Sequence, residues 1–153
     1  RAGFSKRVAQ GMTGAMDEMV SNVLEHSRCP ASGMAGYHRN GQTFEYAVAD
    51  AGEGVLASLR RHVAYASLDE PGRALELALT DGESRFGPGS GRGYGFHQVF
   101  QSLANLGAAM RFRSGPSRLE ISGISPTLTV ARVGQAVMYQ GFLMSVACER
   151  PGC

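Results

Sequence analysis

The stretch "MAGYHRNGQTFEYAVAD", residues 34–50, decides the fold. Asn40-Gly41 sits between two strand-like runs, which is a strong short-range hairpin signal. In the second run Phe44, Tyr46, Val48 and Asp50 alternate with Glu45, Ala47 and Ala49. Alternation puts Asp50 on the same side as the large apolar residues, at the very end of the strand.

Upstream, residues 5–26 predict a helix. Val8, Met12, Met16, Met19, Val20, Val23 and Leu24 recur at helical spacing. Gly11 and Gly14 weaken it locally, and "CPASG" (29–33) is expected to end it with Pro and Gly. Downstream, "AGEGV" (51–55) breaks the strand, and residues 55–84 divide into two helical pieces, "VLASLRRHVAYAS" and "EPGRALELALTDGES". Ser67 or Asp69 is expected to cap the second piece, with Pro71 in its first turn. "RFGPGSGRGYGF" (85–96) is a Gly-rich loop, followed by a helix over 96–107 that Gly107 stops. "AMRFRS" and "RLEIS" flank "GPS" as an expected second hairpin, and "TLTVARV" and "FLMSVAC" supply two more strands.

This order is not a strict βαβ alternation, so a doubly wound parallel sheet is disfavoured. It predicts an α+β two-layer sandwich with helices on one face of a mixed, mostly antiparallel sheet. With 153 residues, 43% hydrophobic and 18% charged, the chain is expected to form one domain over residues 1–153. Its start at Arg1 instead of Met fits either a domain excised from a longer chain or a disordered start. The net charge of +2, without a basic block, points away from nucleic acid. No run is apolar enough to span a bilayer within this segment, and no signal-peptide pattern is present. Cys29, Cys148 and Cys153 are an odd set, not a disulfide framework, and a reducing, cytoplasmic setting is expected. "HSRC" (26–29) supplies two ligand types without a second pair, short of the four that structural zinc needs.

Three elements offer chemistry. Glu18, Asn22 and His26 stand four residues apart in "MDEMVSNVLEHS" (16–27). A four-residue step turns a helix by about 40°, so the three form one ridge at the edge of the apolar stripe. The Asn22 carbonyl oxygen suits a hard cation such as Mg²⁺, and Glu18 suits a general base. In "DAGEG" (50–54), the Asp50 carboxylate can accept from an exocyclic amine, while Gly52 and Gly54 leave room for a flat base. In the loop, Gly87, Gly89, Gly91, Gly93 and Gly95 alternate just before a helix, where free amides and the helix dipole favour phosphate. A P-loop would need Gly-Lys-Ser/Thr, which is absent. A dinucleotide fingerprint would need a strand leading into the loop, where the sequence reads helical. Each element alone also fits a structural role: a polar helix edge, a strand-to-helix turn, a surface loop.

The order "E-x-x-x-N", "D-x-G-x-G", then a Gly-alternating loop entering a helix resembles the GHKL ATP-binding family of histidine kinases, DNA gyrase, heat-shock chaperone ATPases and anti-sigma-factor serine kinases. The resemblance runs from about residue 12 to 146. It implies a Bergerat-type two-layer α/β fold that binds ATP and Mg²⁺. Residue by residue, it implies Mg²⁺ on Asn22, Glu18 as catalytic base and Asp50 on the adenine amino group, with Gly52 and Gly54 around the base. Gly89, Gly91, Gly93 and Gly95 would wrap the phosphates, and residues 55–88 would form the lid. "EMVSNVLEH" resembles the anti-sigma kinase version, which has a His four residues after the Asn. His26 would then line the site; a plain helix-end histidine is the other reading. The chain departs from the family pattern where many members carry Gly-Thr near the last strand, since Gly141 is followed here by Phe142. No Lys accompanies the Gly loop, so Arg85 and Arg92 are the available cations there, or else solvated loop charges.

The expected function is phosphoryl transfer from Mg-ATP to a Ser or His on a partner protein or second domain. Such transfer needs positioning and charge neutralisation more than covalent help. The alternatives are an ATP-hydrolysing switch that drives a partner or homodimer change, and a nucleotide-sensing module without turnover.

Overall fold

The computed structural model describes residues 4–80, 108–122 and 131–149. Helix α1 spans Lys6–His26, strand β1 Met34–Asn40 and strand β2 Thr43–Asp50. Helices α2 (Gly54–Arg60) and α3 (Pro71–Ala78) follow, then strands β3 (Ala109–Ile121) and β4 (Arg132–Glu149). Among the described residues the chain forms an α+β fold in which three helices accompany a four-stranded open sheet of order β1-β2-β4-β3. Every described strand pair is antiparallel, so the expected mixed sheet is not seen among the described residues.

The hairpin falls where it was expected. Its two-residue loop is Gly41–Gln42, with Asn40 pairing Thr43 and Gly41 at φ 58°. The alternation of β2 is also observed. Tyr46, Val48 and Asp50 are buried, and Phe44 packs at the margin of the core. That sheet face continues through Met110 and Phe112 of β3 and Met144, Val146 and Cys148 of β4. Met12, Ala15, Met19 and Val23 of α1 close over it together with Leu75 of α3, so both helices share one core with one face of the sheet. Among the described residues no helix is long and apolar enough to cross a membrane.

α1 starts at Ser5, whose Oγ accepts from the Val8 amide at 3.4 Å. It ends before the Pro and Gly expected to stop it. Ser27 is the last helical residue in conformation, and Arg28 takes the left-handed φ of 60°. The piece expected as a helix over 55–67 is shorter. His62 Nδ1 accepts from the Ala64 amide at 3.1 Å and starts a separate 3₁₀ turn at Val63–Tyr65. Neither Ser67 nor Asp69 caps α3. Pro71 forces its predecessor Glu70 into extended backbone, which sets the boundary one residue past Asp69.

The largest correction concerns "GPS" (115–117), which is not a turn. Residues 109–121 form one strand that pairs with β4 on both sides of this segment, with register shifts at Ser114/Gly115 and Gly115/Ser117. The extra residues lie on β4, where Gln140–Gly141 and then Ala136–Met138 fall between successive pairs, and Gly115 opposite them takes φ 59°. Leu119 and Ile121 beyond it are buried in the core with Leu75 and Leu79, which holds that half of the strand down. Likewise "FLMSVAC" is the second half of one long strand, β4, whose first residues Arg132 and Val133 are the end of "TLTVARV"; residues 127–130 lie outside the described residues. Cys29 is exposed and Cys148 buried, and both are free thiols. Burial pushes the Cys148 thiol up to about 11, which leaves it protonated and inert at neutral pH.

Candidate functional site

The candidate site begins with the ridge on α1. Met19 and Val23 are buried in the core, while Glu18, Asn22 and His26 are half-buried beside them. The three therefore border the apolar stripe, as their spacing predicts. The Asn22 amide nitrogen is buried and has no hydrogen-bond partner among the described residues. A buried amide without a partner is destabilising unless a ligand or water supplies the acceptor.

The end of this ridge meets the turn after β2. The Ser27 carbonyl accepts from the Glu53 amide at 3.0 Å. Gly52 is pressed so closely against it that a Cβ there would lie 2.1 Å from the Ser27 oxygen. Arg61, just past α2, forms an ion pair with Glu53 and donates from Nη2 to the His26 carbonyl at 3.3 Å. The first and second sequence elements are thus brought to one place. Ser27, Glu53 and Arg61 join them, and none of these three was expected from the sequence.

Asp50 occupies the end of β2, 4% exposed, opposite Phe142 of β4. Its Oδ1 accepts from the Gly52 amide at 2.7 Å. Burial pushes the carboxyl above its usual range, while the amides of Gly52 and Phe142 pull against that shift. Gly141 adopts φ 95°, and a side chain there would run into the Asp50 carbonyl at 2.1 Å. Only glycine fits such a conformation and approach without strain. Phe142 follows it in place of Gly-Thr. Its ring is buried edge-on against Phe112, with centroids 4.7 Å apart, so this position offers the site a backbone and no side-chain hydroxyl.

The third element is not comparable. Arg85, Gly89, Gly91, Arg92, Gly93 and Gly95 all lie outside the described residues. Among the described residues, no group of three or more His, Cys, Asp or Glu side chains could hold a metal ion. A cation here would rest on Asn22 and on ligand oxygens, the way Mg²⁺ commonly binds beside phosphates. A separate open cleft of about 330 Å³ between the 3₁₀ turn and α3 is lined by residues that include Tyr65, Leu68, Arg73 and Leu77. None of the expected site residues lines it.

Compared with known proteins, the chain matches no family model, and no curated protein is similar to it at a significant level.

Proposed function

We propose that this chain is a GHKL-like, Bergerat-type ATP-binding domain of a regulatory protein, which passes a phosphoryl group from Mg-ATP to a Ser or His on a partner. One observation carries the reading. The buried Asp50 carboxylate and the Asn22 ridge, far apart in sequence, converge on one turn through the contact of Ser27 with Gly52 and Glu53.

In this reading Asp50 is the polar anchor for the base amino group, and its neighbours hold it in place. The Gly52 amide fixes Oδ1 at 2.7 Å, and the Phe142 amide also bonds the carboxyl, so its orientation is set by backbone. The close packing of Gly52 against Ser27 and of Gly141 against Asp50 holds this turn backbone to backbone. The unpartnered amide of Asn22 supports a phosphate-side role, because it offers both an oxygen for a cation and a donor for an anion. Bound Mg²⁺ would neutralise phosphate charge there. Glu18, one turn earlier on the same ridge, is the group that would take the acceptor's proton.

The test is a thermal shift followed by tracing labelled phosphate. Mg-ATP at a hundredfold excess over its Kd should stabilise the fold by about 2.7 kcal/mol. For a domain of this size that is on the order of 5–10 °C in Tm. No shift at millimolar Mg-ATP sinks the reading. Label transferred to a partner protein supports phosphoryl transfer, whereas label released as free phosphate makes the domain an ATPase switch.

A further inference from the structure

The Ser114 hydroxyl, which is 5% exposed, bridges two backbone segments that meet at the candidate site. Its Oγ donates to the Gly141 carbonyl at 2.7 Å and accepts from the Val55 amide at 2.9 Å. Gly141 backs Asp50, and Val55 follows the second glycine of "DAGEG". The hydroxyl therefore ties the first turn of α2 to β4 across β3. Two neighbours show how tightly the bridge is set. Gly54 has φ 77°, and a Cβ on it would lie 2.7 Å from Ser114 Oγ. The ladder between β3 and β4 shifts register immediately after Ser114, where Gly115 pairs with Tyr139 instead of continuing along the strand. A bulge at such a point re-aims groups that the regular ladder would otherwise pair.

Resting on the reading above, we propose that Ser114 is the positioning residue for the base-binding end of this site. It takes on, from the neighbouring strand and through the backbone, the organising task for which Phe142 has no hydroxyl. Its proton and one of its two lone pairs are used by backbone groups, so it acts through Gly141 and Val55. Losing it would leave a buried carbonyl and a part-buried amide without a partner, and the turn carrying Gly52 and Gly54 would relax away from Asp50.

The full-length chain carrying Ser114→Thr or Ser114→Val separates hydroxyl from shape, because Thr and Val are nearly isosteric. Calorimetric titration with Mg-ATP should find Ser114→Thr within about threefold of the unmodified protein and Ser114→Val about tenfold weaker. Titration with magnesium tripolyphosphate, which has no base, should not separate the two variants. Equal Mg-ATP affinities for the two variants overturn the proposal while leaving ATP binding intact. So does an equal loss of Mg-ATP and tripolyphosphate in Ser114→Val, which marks general damage to the fold. An unmodified protein that binds no nucleotide removes both this proposal and the reading it rests on. If Ser114→Val does not fold, amide exchange at Val55 in the unmodified protein decides. Slower exchange with Mg-ATP than without supports the bridge as part of the site, and unchanged exchange overturns it.

Discussion

Gly52 lies against the carbonyl of Ser27, so close that a single added methyl would stand 2.1 Å from that oxygen. The contact is backbone on backbone and joins the end of α1 to the turn after β2. Neither partner can rotate away, as a flexible side chain could. We predict that Gly52→Ala destabilises the protein by about 3 kcal/mol, the upper part of the range for overpacked sites. Thermal denaturation should register this as a fall in Tm on the order of 10 °C. A variant as stable as the parent would mean that the contact between Ser27 and Gly52 is loose in solution.

Asp50 gives a pH prediction whose sign follows from its burial. Its folded carboxyl titrates above the ordinary value near 3.8. The unliganded fold therefore has this group's full contribution below that value and loses it as pH rises through the higher, folded one. Asp50→Asn keeps an acceptor for the Gly52 amide and removes the buried charge. Relative to the variant, the parent should lose stability as pH rises above about 3.8, as read by urea denaturation across a pH series. In the same variant adenine nucleotides should no longer bind. Opposite pH behaviour would show that the Gly52 and Phe142 amides outweigh desolvation.

Two ion pairs differ in what surrounds them. Arg61 and Glu53 have side chains only 27% and 21% exposed, and Arg61 also holds the His26 carbonyl. Arg73 and Glu76 have side chains 56% and 39% exposed, one turn apart on α3. Arg61→Met should cost about 1.5–3 kcal/mol, the worth of a hydrogen bond to a charged partner. Arg73→Met should stay within about 0.5 kcal/mol. Chemical denaturation of both variants checks this, and equal costs would contradict the ranking by burial.

Asn22 contrasts with both. Because its amide nitrogen is buried and has no partner among the described residues, removing it sacrifices no hydrogen bond there. Asn22→Ala should change the stability of the unliganded protein by less than about 1 kcal/mol. It should weaken Mg-ATP at least tenfold while leaving Mg-free ADP nearly unaffected. Parallel titrations with the two nucleotides give the answer, and equal losses would remove Asn22 from any metal role.

Local signals in the sequence were followed closely. The 34–50 hairpin, the core stripe of α1 and the inward-facing Asp50 all depend on periodicity within one element. What was missed depends on a partner strand. "GPS" resembles a turn when read alone, and its place within one strand requires β4 alongside it, which carries the extra residues, and α3 beneath the far half of β3. Ser114, Ser27 and Arg61 look like ordinary polar residues, because the partners Gly141, Glu53 and His26 that tie them to the site stand 27, 26 and 35 positions away. No periodicity encodes such pairs. Phe142 shows the converse: the absence of Gly-Thr was visible in the sequence, but the ring's place against Phe112 was not.

The strand order β1-β2-β4-β3 also constrains how the molecule comes into being. The β1–β2 hairpin is local and closes cheaply, but β4 lies between β2 and β3, and its pairing of Phe142 with Asp50 closes most of the chain into a loop. Closures of that span raise contact order and slow folding. Gly141 and Phe142, which back Asp50, arrive only with this late strand. Assembly of the sheet and enclosure of Asp50 are therefore the same kinetic event, and a half-made chain on the ribosome would leave Asp50 without Gly141 and Phe142 against it.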